Sequence, residues 1–419
     1  MTKKQWSEIS YLGALVLWLI VALIKYTYFK DMLPMKRISD PVMYFVLLVC
    51  LVKCILDKDL TRKNIVSLLF TILFAIIAWK IKKLQFAAMF VLIYSGRNVP
   101  FRKTCKAVFS VQVSVFLTTT VCSRLGILED VIWEEGTRLR HGLGFTHCML
   151  ASHFGLFTAI TWIAIRKRLD IISAVAIAGI NCILFYLTKG RSDFGLSLLL
   201  VAGCLLIEHL PRKEDEGPKW LAYILSAVPW CSLAASIGIT WAYREGTPVW
   251  DRMNIMSNNR LKLGYDAIEK YGFTWFGQRI KFIGASNLYY KPDAVYNYVD
   301  NAYLMHLLLY GTIFIFVYCF LTGRLLYRLV RQKEWLMLVC VLISLVFGLV
   351  NPQSMYLTYN PLLVLLLYEQ PEEELQEEPE EELQEEPEEE LQEEPEEEPE
   401  EEPEEEPEEE PQNAKIAVD

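Results

Sequence analysis

The 419-residue sequence lacks the signatures that announce a soluble catalyst. It contains no Walker loop, no Gly-x-Gly-x-x-Gly, no His-Glu-x-x-His and no Gly-x-Ser-x-Gly, motifs that supply a phosphate cradle, a metal seat or an activated nucleophile. Nucleotide hydrolysis is thereby set aside. Cysteine is absent from the one long polar stretch, 242–300. The ten that exist (Cys50, Cys54, Cys105, Cys122, Cys148, Cys182, Cys204, Cys231, Cys319 and Cys340) lie in or at the ends of apolar runs. That pattern gives no disulfide framework and no zinc spacing, so they read as small buried hydrophobes. Outside 242–300 no polar segment is sizeable enough to fold in water, and 369–411 carries not one basic residue.

What fills the chain is uninterrupted apolar length. Hydrophobic residues make up 53% of it, and they are blocked rather than alternating. Crossing a hydrocarbon core of ~30 Å takes roughly 17–25 mostly apolar residues. The runs that meet or approach this are Tyr11–Tyr28, Val42–Ile55, Ile65–Trp79, Leu84–Tyr94, Cys105–Val121, Phe145–Ile165, Ile171–Leu187, Phe194–Leu210, Leu221–Trp241, Tyr303–Leu321, Trp335–Val350 and Tyr356–Tyr368. They predict an all-α polytopic integral membrane protein of about twelve transmembrane helices, residues 1–368, with one long extracytoplasmic loop at 242–300. The remainder, 369–419, repeats Pro-Glu-Glu-Glu-Leu-Gln-Glu-Glu from Pro371, Pro379 and Pro387, then Pro-Glu-Glu-Glu from Pro395. Frequent proline and dense like charge predict a disordered tail without catalytic consequence.

The formal net charge of −10 hides a basic body. The 28 glutamates of 369–411 outweigh the rest, and the first 368 residues hold 40 bases against 22 acids, a net of +18. Such a body suits anionic lipid headgroups and an anionic substrate. The first run is too long for a signal-peptide core and is taken as uncleaved. With the N-terminus inside, alternation places 20 Lys and Arg in cytoplasmic loops and 12 outside once the long loop is excluded, so both termini fall in the cytoplasm.

Four polar constellations then share the outer side. The long loop mixes aromatic rings with Arg244, Arg252, Arg260 and Arg279, which suits a ligand that is both glycan and phosphate; a structural cap over the bundle is the plain alternative. Within it, Asn258-Asn259-Arg260 followed by Leu261, Gly264, Ala267, Ile268 and Tyr271 predicts a short amphipathic helix ending at Gly272. Arg260 opens that helix, where the dipole disfavours a cation unless an anion completes the site. Ahead of a span stand Arg138, Arg140 and His141, able to bind phosphate and move a proton. Thr188-Lys189-Gly190-Arg191-Ser192-Asp193 is a tight link that pins Arg191 at the boundary. Asp300-Asn301 marks re-entry into the bilayer and offers a carboxylate as base. His153 and His306, inside apolar runs, read as packing residues.

The ordered series of Arg138 to Gly144, Gly190-Arg191-Ser192, Arg260 with Tyr271-Gly272, Phe276-Gly277, Asp300-Asn301-Ala302-Tyr303-Leu304 and Tyr310-Gly311 resembles the Wzy-type bacterial polysaccharide polymerases of the O-antigen polymerase and ligase superfamily. The likeness spans roughly Arg138 to Gly311, with none in the tail. It implies an inverting, metal-independent glycosyltransferase, without cofactor, that joins undecaprenyl-diphosphate-linked repeat units of O-antigen, capsule or exopolysaccharide on the outer face of the plasma membrane. By position Arg140, Arg191 and Arg260, with Arg138 beside them, would hold the diphosphate, and the base would be Asp300 or His141. A flippase and a chain-length regulator are the partners such an enzyme implies, and nucleic acid is not among them. The ligases of the superfamily usually show His-Asn where this chain has Asp300-Asn301, which favours the polymerase branch. A ligase moving finished glycan, or a transporter of lipid-linked sugars, are the rival readings.

Overall fold

In the computed structural model, which describes residues 2–57, 61–135, 138–166, 168–208, 216–291 and 293–369, the apolar runs become helices. The predicted 369–419 tail lies, beyond Glu369, outside the described residues. The first half gives α1 (Lys3–Ile24), α2 (Phe29–Met32), α3 (Met35–Asp57), α4 (Arg62–Lys80), α5 (Leu84–Ser95) and α6 (Phe101–Arg124). Thr2 and Gln5 close a reciprocal cap that satisfies the first free N–H groups of α1. An antiparallel hairpin, β1 (Ile132–Glu135) and β2 (Arg138–His141), then leads into α7 (Cys148–Ile165), α8 (Ile171–Thr188) and α9 (Arg191–Glu208). The second half holds α10 (Lys219–Ser226), α11 (Val228–Ala242), α12 (Pro248–Met256), α13 (Arg260–Tyr271), α14 (Ala285–Tyr290), α15 (Ala302–Tyr310), α16 (Thr312–Arg331) and α17 (Trp335–Gly348).

Eight helical stretches among the described residues are long and apolar enough to cross a membrane: α1, Arg37–Asp57 of α3, α4, α6, α7, α8, Lys219–Ala242 across α10 and α11, and α16. Their outward faces carry Leu69, Ile172, Ile183, Trp220 and Trp241, each at least 60% exposed. A water-facing surface would not tolerate so much contiguous apolar area, and lipid would.

The other four runs of the sequence reading fold differently. Helix α5 has 12 residues and α17 has 14, short of a full crossing. Helix α9 carries Arg191, Asp193 and Glu208 within its 18 residues. The last run is not an α-helix at all. Pro352 and Pro361 each lack the N–H that an α-helical ladder requires, and the chain forms 3₁₀ turns at Pro352–Met355 and Pro361–Leu366. This segment runs from His153, where Asn351 sits, to Lys63 and Asn64, which hold Glu369. Residues 351–365 are almost entirely buried, so their polar groups need internal partners. Gln112 Nε2 donates to the carbonyls of Thr358 and Tyr359, while Asn360 Nδ2 reaches Ser344 Oγ and Ser354 O.

Cysteine usage follows lipid exposure. Cys50, Cys105, Cys148, Cys204, Cys319 and Cys340 are buried, Cys54 and Cys122 are half-buried, and Cys182 and Cys231 are exposed on their helices, so burial holds for six of the ten.

Candidate functional site

The long loop folds back onto the bundle instead of standing clear of it. Two glycines make that possible. Gly277 (φ +76) and Gly311 (φ +92) meet backbone to backbone, and a Cβ on Gly277 would come within 2.2 Å of the Leu309 carbonyl oxygen. Only glycine tolerates such an approach at positive φ. Gln278 N then donates to Leu309 O at 3.1 Å, and Thr312 N to Thr274 O at 2.8 Å. The apolar run Tyr303–Leu321 is thereby broken into α15 and α16, and the loop is tied to the break.

Helix α13 forms where the sequence predicts, from Arg260 to Tyr271 with Gly272 beyond it in positive φ. Its start is capped from elsewhere. Asn259 is left-handed and makes no side-chain cap; Asn254 of α12 supplies it, accepting from Lys262 N at 3.0 Å and donating to Asn259 Oδ1 at 3.0 Å. The buried face of α13, Gly264 and Ala267, rests on α11 and α15, where Gly264 touches Thr240 and Leu304.

That seating brings Arg260 to Asp300. Arg260 Nε lies 3.7 Å from Asp300 Oδ2, an ion pair beyond hydrogen-bond reach, with the side chains 28% and 24% exposed. The Nε–H makes no hydrogen bond among the described residues. Burial holds the Asp300 carboxyl above its ordinary value, opposed by the Arg260 guanidinium and by His153. Next to it, Asn301 caps α15 through Leu304 N and donates to Ser236 Oγ and Leu349 O.

The hairpin separates the two residues that the sequence reading grouped. Side chains alternate along a strand, so Arg140 and His141 leave β2 on opposite faces. His141 Nδ1 is 2.8 Å from Asp130 Oδ2, and Asp130 Oδ1 accepts from Leu143 N at 2.7 Å. His141 therefore pins the hairpin's exit, and its carboxylate partner is Asp130. Arg140 pairs in register with Trp133, whose ring lies 5.2 Å from His147. Burial, aided by the charges of His153 and Arg140, pushes His147 down to about 4. Arg138 opens β2, half-buried, two residues from Arg140 and on its face. Arg191 is exposed at the first position of α9, following the two-residue link Lys189-Gly190.

Between hairpin and loop lies a buried polar chain that the sequence reading missed. His153 Nδ1 is 2.8 Å from Asp193 Oδ2, and His153 Nε2 is 2.9 Å from Asn351 Nδ2. Ser152 Oγ donates to the same Asp193 oxygen. All four are at least 94% buried. Gly190 is required beside them, because a Cβ there would sit 2.7 Å from Ser152 Oγ. Asp193 had been in view only as the end of the Gly-Arg-Ser motif, and His153 as packing. A lone histidine in an apolar run gives no sign that a carboxylate from another helix will meet it. His306, the other such residue, does pack: its Nδ1–H donates to Ala302 O and its ring stacks on Tyr310 and Phe314.

The long loop is tied back to two other segments. Tyr289 of the long loop donates to Glu129 ahead of the hairpin, and Tyr290 donates to Asp31. His153 itself is held by Asp193, Asn351 and the Phe347 ring, His141 is held by Asp130, and Arg191 is exposed. A groove of about 520 Å³ between α1 and α6 includes none of these arginines. Among the described residues no group of His, Cys, Asp and Glu could hold a metal ion. Compared with protein-family models, with curated proteins and with solved structures, the chain matches none.

Proposed function

We propose that the chain is a membrane glycosyltransferase that joins oligosaccharide repeat units carried on undecaprenyl diphosphate, working on the outer face of a bacterial plasma membrane with both termini inside. In this reading the short and irregular crossings complete a bundle of about twelve passes. The observation that carries it is the Arg260–Asp300 pair at the seam between an aromatic-rich loop and an apolar bundle. A guanidinium with an unused Nε–H, at the first turn of a helix, is suited to an anion.

The chemistry follows from those groups. The acceptor sugar hydroxyl attacks the anomeric carbon of the donor, the bond from that carbon to the diphosphate oxygen breaks, and the diphosphate leaves with the electron pair. The hydroxyl proton passes to the Asp300 carboxylate, which its raised affinity for protons favours. Arg260, with Arg140 across the site, offsets the charge that develops on the leaving group. Arg138 and Arg191, nearer the surface, draw the diphosphate in.

Arg260→Ala tests it directly. Lipid-linked single repeats should accumulate and polymer should vanish while the protein remains in the membrane. Arg260→Lys should recover little, because an ammonium lacks the fork. Full-length polymer from the alanine variant would overturn the reading.

A further inference from the structure

Helix α16 starts at Thr312, whose N–H is tied to Thr274 of the long loop, and runs away from the loop to Arg331. At 1.5 Å per residue, Arg324 and Arg328 lie roughly 18–24 Å further along, at the opposite end of the bundle. There a crevice is lined by Lys63 of α4, by Leu321, Arg324, Leu325 and Arg328 of α16, and by Leu366 of the buried 351–369 segment. Three of the six are cations, and the protein gives them little counter-charge. Lys63 is paired with Glu369. Arg328 donates to Tyr368 O at 3.1 Å and to Leu365 O at 3.2 Å, carbonyls that satisfy its donors without cancelling its charge. Arg324, one turn earlier on the same face, is exposed and has neither ion pair nor hydrogen bond among the described residues. Like charges four residues apart on a helix repel, so this pair is most stable with an anion held between its guanidinium forks.

The surroundings tell what kind of anion. Phe316, Phe320 and Arg324 recur at four-residue spacing on α16, all exposed, and on α4 Val66 and Phe70 stand exposed one and two turns on from Lys63. Both helices thus present hydrocarbon that gives way to charge within one turn, with Leu321, Leu325 and Leu366 in the crevice beside them. A small water-borne anion makes no use of that order, whereas an amphiphile matches it. We propose that the crevice between α4 and α16 binds an anionic phospholipid such as phosphatidylglycerol, its phosphate on Arg324 and Arg328 and its acyl chains along Phe320 and Leu321. Because Arg328 also holds Leu365 and Tyr368, a phosphate seated there fixes the guanidinium that anchors the end of the buried segment. The site lies at the far end of the bundle from Arg260, so it stands whether or not the glycan-transfer reading does.

The experiment uses the full chain in phosphatidylcholine nanodiscs doped with a phosphatidylglycerol that carries a photoreactive acyl chain, and maps the adducts by mass spectrometry after irradiation. Adducts should concentrate on Leu321, Leu325 and Leu366. Unlabelled phosphatidylglycerol should suppress them, while equal amounts of inorganic phosphate or of further phosphatidylcholine should not. Arg324→Gln, which breaks no contact within the protein, should lower the adduct yield at sub-saturating label about fivefold, the worth of one cation near a lipid surface. Arg324→Lys should restore most of it. Arg328→Gln should lower the yield as well, though it also frees two carbonyls, and Arg324→Gln keeps the test independent of that loss. Arg124→Gln, at an exposed cation ending α6, should change nothing. Adducts spread evenly over the lipid-facing helices, equal suppression by phosphatidylcholine, or an undiminished yield in Arg324→Gln would overturn the proposal. Suppression by inorganic phosphate would overturn it too, by showing a site for a free anion.

Discussion

Helices α7 and α8 are consecutive, have 18 residues each and read alike as apolar runs, yet the bundle encloses 72% of one and 28% of the other. On α8 the buried residues Ala174, Ile177, Asn181, Leu184 and Thr188 recur at helical spacing, while Ile171, Ile172, Val175 and Tyr186 turn outward, each at least 66% exposed. Helix α7 is surrounded, by α6, α8, α9 and α17, and buries Ser152, His153 and Thr161 along with its apolar side chains. Hydropathy tells which segments enter lipid. It does not tell which of them the others pack around, because lipid and protein interior are equally apolar. The difference matters for chemistry, since only the enclosed helix can hold an imidazole and a carboxylate together out of reach of water.

The comparison breaks hardest at Asp193. Removing one partner of a buried carboxylate–imidazole pair leaves the other unpaired, and Asp193→Ala also strips the acceptor from Ser152. A loss of about 3–5 kcal/mol is expected, read as a lower midpoint for thermal or SDS-induced unfolding in micelles. Asp193→Asn, which keeps an acceptor for the serine, should lose clearly less. Equal losses for the two would show that the hydrogen bonds to Asp193 contribute little and that its charge is what counts.

Much of the architecture was legible in the residues and part of it was not, for identifiable reasons. Long apolar runs gave helices because a backbone in lipid must satisfy its own hydrogen bonds, and α13 appeared within its predicted bounds because an apolar stripe and Gly272 mark it. The run Tyr356–Tyr368 reads as a crossing helix because hydropathy registers Leu362 to Leu367 and overlooks Pro361 beside them. Gly277 and Gly311 were noticed as motif residues, but that each is there for the other is a tertiary fact. At the site, Arg260, Asp300 and Arg140 were legible as charge in polar segments of one side. His153, Asp193 and Asn351 come from three elements nearly 200 residues apart, and no local pattern announces their meeting.

Gly155 sharpens the comparison at the seam between the two helices. A Cβ at this position on α7 would lie 2.4 Å from Leu184 Cδ1 and 2.9 Å from Asn181 Oδ1 of α8. Small residues at helix contacts let backbones approach in membranes, and Gly155 is one of them. Gly155→Ala should cost about 1–3 kcal/mol by overpacking, less than Asp193→Ala because the leucine methyl can swing aside. Paired with Leu184→Val, the cost should shrink. Additive losses in the double variant would place the strain in the backbone or in Asn181.

The smallest effect, and of opposite sign, belongs to Gly179 on α8. Nothing lies within 4 Å of a Cβ added there, and the residue faces outward. Glycine inside a helix costs roughly 0.5–1 kcal/mol relative to alanine, through the backbone freedom that it loses on folding. Gly179→Ala should therefore leave the protein equally stable or raise its unfolding midpoint slightly. A clear destabilisation would mean that this face of α8 meets something other than lipid, and the contrast between the two helices would then have to be drawn along a different line.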